Sequence, residues 1–595
     1  MDDYRREARH FLTHQTQFHL GMLPTEQSHA KTRGLAEILQ DDCATGIRLL
    51  QTVDQDVADM ARRMLVSDEL EELVSALTDA LVNGKRVCFS GCGATGRLSI
   101  MLEAIWRQFW LELAERQPGV AAMAAKLRDQ VISIMTGGDY ALIRSVEGFE
   151  DYTFFGRQQV REANLGAGDV LVAISEGGET SSVIGTLLEA TERGVRGFFV
   201  FNNPAEVLTE HIERSCAVIE SPAVTVLDLA TGPMAVSGST RMQATTAELL
   251  VVGSALEQAL VRLLPEVLPT EALAALPTEC LSPVDGAAQF EALLADLGSP
   301  AAVEVLAEWT DIEYALYATA GRITYYAGEC LLDIFTDTTE RAPTFMLPPF
   351  RKAGDTVSPP SWAFVKDPTR TTSEAWRQVL GRAPRCLDWN PARYADLGAA
   401  ADIVANPPAL GRDELMRFLI GSEFDASRTE VEPNAAMAVL LTHELCSPVG
   451  AAWQAAYAEA AGAYGRQLAA VIGEEAATVE GVERTLWVPC RLTATPLRLW
   501  DRLATKLVLN TVSTASMGKL GRLVSNWMVN VECTNKKLID RGTRLVAELT
   551  GLGYEAACHE LHRTIAEREA AAGVGDPRVS PVAVTLERLQ DEEMA

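Results

Sequence analysis

The sequence predicts an α/β protein of two successive domains, each a parallel sheet flanked by helices, with helical segments at both ends. Three observations carry this. Short β-type runs alternate with helical patterns in two separate stretches. A Pro-rich stretch, LPEVLPTEALAALPTECLSPVDG (264–286), lies between them and reads as a linker. The chain has 595 residues, 48% hydrophobic and 22% charged, which gives an ordinary globular balance and room for several domains.

In chain order, residues 1–85 read as mostly helical, with charged residues spaced between Leu, Val and Met. RVCFSG is a strand, GRLSIMLEAIWRQFWLELAER a helix, and QVISIM and VLVAIS are strands. A helix starts near Thr180, and GFFVFNN and CAVIES are further apolar runs. The second alternating region holds RITYYAG, ADIVAN, FLIGSEF, an Ala-rich helix over about 450–472, and TLWVPCRL. The end is helical and polar. The expected segments are 1–50 (helical), 51–265 (first α/β domain), 266–290 (linker), 291–540 (second α/β domain) and 541–595 (helical).

Charge and cysteine usage narrow the function classes. A formal charge of −29 argues against nucleic acid or an anionic membrane as partner, because both would be repelled. No run approaches a membrane span, and MDDYRREARHFLTHQ lacks a signal-peptide core. Eleven scattered cysteines with no C-x-x-C pair suggest reduced thiols and a cytoplasmic location. The eight histidines form no metal set; Cys558-His559-Glu560-Leu561-His562 has the wrong spacing for a zinc helix.

Three turns carry the candidate chemistry. Gly91-Cys92-Gly93-Ala94-Thr95-Gly96 fits the G-x-G-x-x-G pattern, but no acidic residue closes the next strand to hold a ribose, so a dinucleotide cofactor is disfavoured. A second turn runs from Ser175 through Gly177, Glu179, Thr180 and Ser181; a third is Ser237-Gly238-Ser239-Thr240-Arg241. Hydroxyls and free amides at helix starts suit a phosphate monoester. Each turn alone could be a capped βα junction. Together they point to a sugar-phosphate pocket.

ISEGGETSSVIG resembles the signature loop of sugar isomerase (SIS) domains. TEQSHAKT, GCGATGRL, SVEGFED, GPMAVSGSTRM, DTTERAPTF and LATKLVLNTVSTASMGKLGRLVSNWMVNVECTNKKLIDR are similar, in this order, to motifs shared by N-acetylmuramic acid 6-phosphate etherases and the glucokinase regulatory protein. The resemblance runs from about residue 23 to 545. It implies two SIS-type domains packed as an intrachain pseudo-dimer, no cofactor, and a sugar phosphate as ligand. An etherase would be a carbon–oxygen lyase. A regulatory protein would sense the sugar phosphate and act on a partner such as a sugar kinase, and a sugar-phosphate isomerase is a further SIS activity.

The halves can also be compared with each other. Gly91 to Ile105 and Tyr326 to Glu340 each span fifteen residues after a strand. The first half keeps the glycine loop and has Ile105; the second has YAGECL and keeps Glu340. Similarly, Leu249 stands against Lys506. This complementarity suggests one composite site per chain, with phosphate loops from the first half and Glu340 and Lys506 from the second. The resemblance then implies Glu150 as base and Glu340 as acid. Substrate contacts would come from Gly93, Ala94, Thr95, Ser175, Gly177, Glu179, Thr180, Ser181, Ser239 and Lys506. Two alternatives stay open: Glu340 paired with Arg341 or Lys506, and Glu150, like Glu147, a solvated carboxylate. Three departures from the family stand out. Met234 replaces the etherase glutamate, Pro343 matches etherases rather than the regulatory protein, and Glu179 places an anion beside the phosphate loop.

Overall fold

The computed structural model describes residues 3–594 except 145, 147, 446, 534 and 572–578; Glu147 therefore lies outside the described residues. The first sheet is made of β1 (Val87–Gly91), β2 (Val131–Met135), β3 (Val170–Ile174), β4 (Arg196–Phe201) and β5 (Val224–Asp228). Its order is β2-β1-β3-β4-β5, all parallel, with Val87 opposite both Val131 and Val170. The second sheet has β6 (Arg322–Tyr326), β7 (Ala363–Lys366), β8 (Asn434–Leu441), β9 (Arg466–Gly473) and β10 (Arg484–Pro489). Read as β7-β6-β8-β9-β10, it repeats the order of the first strand for strand. The two halves are thus structural repeats, two SIS-type α/β units with helical extensions. β1, β3 and β8 are buried throughout, as continuous apolar strands covered by helices on both faces must be.

Several apolar runs take other forms than their composition suggests. CAVIES is mostly helix (Glu213–Ile219), and the strand is the alternating run that follows it, Val224–Asp228. ADIVA is a short helix and FLIGSEF holds no strand. The Ala-rich helix ends at Ala461, and Arg466–Gly473 is β9. Runs such as NAAMAVLL and QLAAVIG are apolar on every face, so periodicity cannot separate a buried strand from a buried helix; the sheet neighbours decide. Between the halves, the Gln243–Val267 helix extends into the Pro-rich stretch, and Pro269 and Pro277 each precede a short helical turn.

Charged side chains join the repeats inside the core. Arg382 and Arg385 from the second half converge on Glu103 of the first, Arg382 at 2.9 Å and Arg385 at 2.9 and 3.0 Å. Burial opposes the charge on Glu103, but Arg382, Arg385 and Arg107 hold its pKa down to about 2. Arg241 bonds Asp337 at 3.0 Å and Thr514 at 2.8 Å. Arg97 bonds Glu340 and, at 3.0 Å, Thr339. One partner lost from such a pair strands a buried charge, so these contacts fix how the halves pack.

Candidate active site

In parallel α/β sheets, ligands bind beyond the carboxyl ends of the strands where the strand order reverses. Here that point lies between β1 and β3. A cavity of ≈ 320 Å³ opens there, lined from the first half by Gly93, Ala94, Glu150, Glu176, Thr180, Ser239 and Thr240. The second half adds Glu340 and Pro343, and the C-terminal segment adds Asn535, Lys537 and Arg541.

The glycine turn after β1 is dictated by space. A Cβ on Gly91 would sit 2.4 Å from the Thr95 backbone, and Gly93 has φ +57. Thr95 is buried and turned inward; its hydroxyl donates to the Cys92 carbonyl (2.9 Å) and accepts from the Cys92 amide (3.1 Å), which locks the loop. The Gly93–Arg116 helix starts at this turn and directs its N-terminal amides to the cavity side. After β3, the Ser175 hydroxyl donates to Thr180 at 3.1 Å, ahead of the Ser181–Glu192 helix. Ser175 is buried. Gly177 accepts from Asn203 through its carbonyl at 3.0 Å. Gly177 and Ser181 are half-buried and do not reach the cavity wall.

Glu150 sits in a single 3₁₀ turn, Phe149–Asp151, and accepts from Asn535 Nδ2 at 2.9 Å. Glu340 projects from the Leu331–Phe345 helix and is held by Arg97 of the first half. Its partner is thus neither Arg341, which binds Glu313 and Asp337, nor Lys506. Glu179 is neutralised: it accepts from Arg214 at 2.7 Å and Lys537 at 3.2 Å. Burial opposes its charge, but those two cations keep its carboxyl below the ordinary value. The anion beside the loop is therefore held by protein cations behind the cavity lining.

Lys506 stands behind the main cavity. It lines a smaller one of ≈ 50 Å³ that shares Ala94, Arg241 and Glu340 with the first. Its ammonium donates to the Arg241 carbonyl (2.9 Å), Thr246 (2.9 Å) and Asn510 (2.8 Å), and burial, then Arg241, pull its pKa down to about 7.

The structure adds residues to which no role could be given from the sequence. Glu176 lines the cavity and accepts from the Thr240 hydroxyl at 3.4 Å. Burial, then the carboxylates of Glu340 and Glu150, push its pKa up to about 7. Asp151 is raised to about 6 by burial and by Glu150. Lys537 and Arg541 come from the Lys536–Thr550 helix, whose N-cap Asn535 also holds Glu150. Arg541 is anchored by Glu26 of the N-terminal segment at 2.7 and 2.9 Å. Residues 26 and 541 lie in the stretches TEQSHAKT and NKKLIDR, and their meeting has no local signal in either. Among the described residues, no group of His, Cys, Asp and Glu is arranged to hold a metal ion. No described helix is long and apolar enough to cross a membrane.

With this geometry in place, comparison with known proteins defines the class. The glucokinase regulatory protein N-terminal SIS domain model matches residues 69–191, within the first half. An N-acetylmuramic acid 6-phosphate etherase of Yersinia pestis (strain Pestoides F) is 30% identical over 244 residues, 41% of this chain and 72% of that protein. The Bacillus licheniformis etherase 1 is 26% identical over 245 residues, 41% of this chain and 71% of its own length. The Vibrio vulnificus (strain YJ016) etherase is 29% identical over 216 residues, and the match spans 63% of its length. The chain belongs to the N-acetylmuramic acid 6-phosphate etherase family. Among solved structures, the C-terminal domain of glucosamine-fructose-6-phosphate aminotransferase from Francisella tularensis aligns with TM-score 0.41 and 10% identity, over 79% of this chain and 95% of that one.

Proposed function

We propose that the chain is a carbon–oxygen lyase that cleaves the lactyl ether of an amino-sugar 6-phosphate. The observation that carries this is the convergence of Glu150 and Glu340, from opposite repeats, on one cavity walled by the amide-rich turns after β1 and β3. Gly93, Ala94, Thr180 and Ser239 line the side where a phosphate fits a helix N-terminus. Thr95, Ser175, Gly177 and Ser181 shape those turns.

In the open-chain sugar, the C2 proton lies next to the C1 aldehyde and is acidic enough for a carboxylate base. Glu150 takes that proton, the C2 electron pair forms the C2=C3 bond, and the C3–O bond breaks. The departing lactate oxygen takes a proton from Glu340, which carries that proton in the ligand-bound complex and returns to its Arg97-paired carboxylate, so lactate leaves and an unsaturated sugar phosphate remains. Asn535 orients the base and Arg97 positions the acid. Lys506 supports the carbonyl ends of the third turn from behind.

A second reading, a sensor that binds without turnover, is favoured by the tandem repeats together with the match to the regulatory-protein domain. Incubating the full chain with N-acetylmuramic acid 6-phosphate and its deacetylated form, with lactate as readout, separates the two. Lactate from either supports the lyase. Binding of both without lactate supports the sensor.

A further inference from the structure

Charge accounting in the cavity wall leaves an imbalance. The cations facing it are Arg144, Arg241, Lys537 and Arg541. Three are already matched by protein carboxylates: Arg241 by Asp337, Lys537 by Glu179 and Arg541 by Glu26. Among the facing carboxylates, Glu340 is matched by Arg97. Glu532 also lines the cavity. Glu150 accepts from the neutral Asn535 amide, and Glu176 from the Thr240 hydroxyl. Neither has an ion-pair partner among the described residues. Among the described residues, the cation without a carboxylate partner is Arg144, which is exposed.

Two unmatched carboxylates inside and one guanidinium facing solvent are a poor match for a ligand that is only anionic. A phosphate can be received by Arg144 and the turn amides, but it leaves Glu150 and Glu176 without an ion pair, since Lys537 and Arg541 nearby are already bonded to Glu179 and Glu26. A cationic group on the ligand would meet both carboxylates at once.

We propose that this cavity selects a sugar phosphate that carries a free, protonated amine, which Glu176 and Glu150 receive while the phosphate meets the turn amides and Arg144. The inference rests on the lyase reading and names its substrate class: an unacetylated amino-sugar phosphate. The chemistry is consistent with that reading. An amine on C2 is bonded to the carbon whose proton Glu150 removes, so one group can face both carboxylates. A positive charge on that nitrogen also makes the C2 proton more acidic. An acetylated nitrogen is neutral and brings a methyl and a carbonyl against two carboxylates.

The test is calorimetric titration of the full chain near pH 7 with glucosamine 6-phosphate and with N-acetylglucosamine 6-phosphate, for the wild type and Glu176→Gln. The wild type should bind the free amine about tenfold more tightly or better, the size of one charge-assisted hydrogen bond. Glu176→Gln should lose most of that preference while still binding the acetylated compound. Its unliganded melting curve reports folding, and the wild-type comparison needs no variant. Equal or tighter binding of the acetylated sugar by the wild type, or a preference that survives in a folded Glu176→Gln, overturns the inference. If lactate is still released from the acetylated substrate in that case, the lyase reading stands without it. If neither 6-phosphate binds, both fall.

Discussion

Glu150 accepts a hydrogen bond from Asn535, and the nearby cations Lys537 and Arg541 are themselves paired with Glu179 and Glu26, which leaves its carboxylate open to the cavity for the proposed proton transfer. Replacing it with Gln keeps the shape and the contact to Asn535 but removes the base. We predict that turnover in Glu150→Gln falls by on the order of 10²–10⁴, measured as lactate release, with affinity for an N-acetylated 6-phosphate little changed. Glu176 makes a separate prediction through pH. Its pKa is raised from 4.5 to about 7, so the folded state holds this proton more tightly than the unfolded one. The stability it contributes is therefore complete below about pH 4.5 and is lost as pH rises through about 7. Glu257, Glu444 and Asp54 are also raised to about 7, so the informative quantity is a difference. The melting temperature of unliganded Glu176→Gln minus that of the wild type should increase from pH 5 to pH 8. A flat difference would show that Glu176 is ionised at both ends.

The βα turns hold the site because neighbouring helices pack without room to spare. The Thr153–Ala163 and Ser181–Glu192 helices touch through Gly156 and Gly185; a Cβ on these would come within 1.8 Å of the Ser182 carbonyl oxygen and 2.0 Å of the Thr153 carbonyl oxygen. Gly185→Val should cost about 1–3 kcal/mol in denaturant unfolding and weaken sugar-phosphate binding, because the Thr180 turn moves with its helix. How much of this was legible in the sequence differs by element. The turns at 91–96 and 175–181 were readable because Gly, Ser and Thr between an apolar run and a helix leave little else to be. β8 and β9 were not, because their Ala-rich runs are equally good as buried helix and their identity comes from neighbours far along the chain. The same limit applies to the site. Glu340 could be placed by comparing the repeats at equal spacing. The pairing of Glu26 with Arg541, 515 positions apart, has no local signature.

At the scale of the molecule, two repeats of identical strand order face each other, and one cavity draws on both. In the second half, the position equivalent to the β3 turn is occupied by the protein itself. Glu444 accepts from the Leu441 and Glu329 amides at 2.7 and 2.9 Å, where a ligand anion would otherwise go, and Glu329 is paired with Arg498 and His443. Calorimetry should therefore give one sugar phosphate per chain; two equal sites would contradict the self-filled second half. The repeats are held in register by pairs such as Arg97–Glu340, with Arg97 buried to 1% exposure. Arg97→Met strands the Glu340 carboxylate and should destabilise the fold by about 3–5 kcal/mol. That loss should appear as a lower midpoint in urea.

The account stands on Glu150 acting at C2 of a sugar phosphate held in the composite cavity. The most direct measurement is proton NMR of an amino-sugar 6-phosphate that binds, incubated with the full chain in D₂O. Deuterium should enter C2 with the wild type and not with Glu150→Gln, and a lactyl-bearing substrate should release lactate alongside. Substrates that bind in the cavity yet keep their C2 proton throughout would contradict the assignment of chemistry to this site.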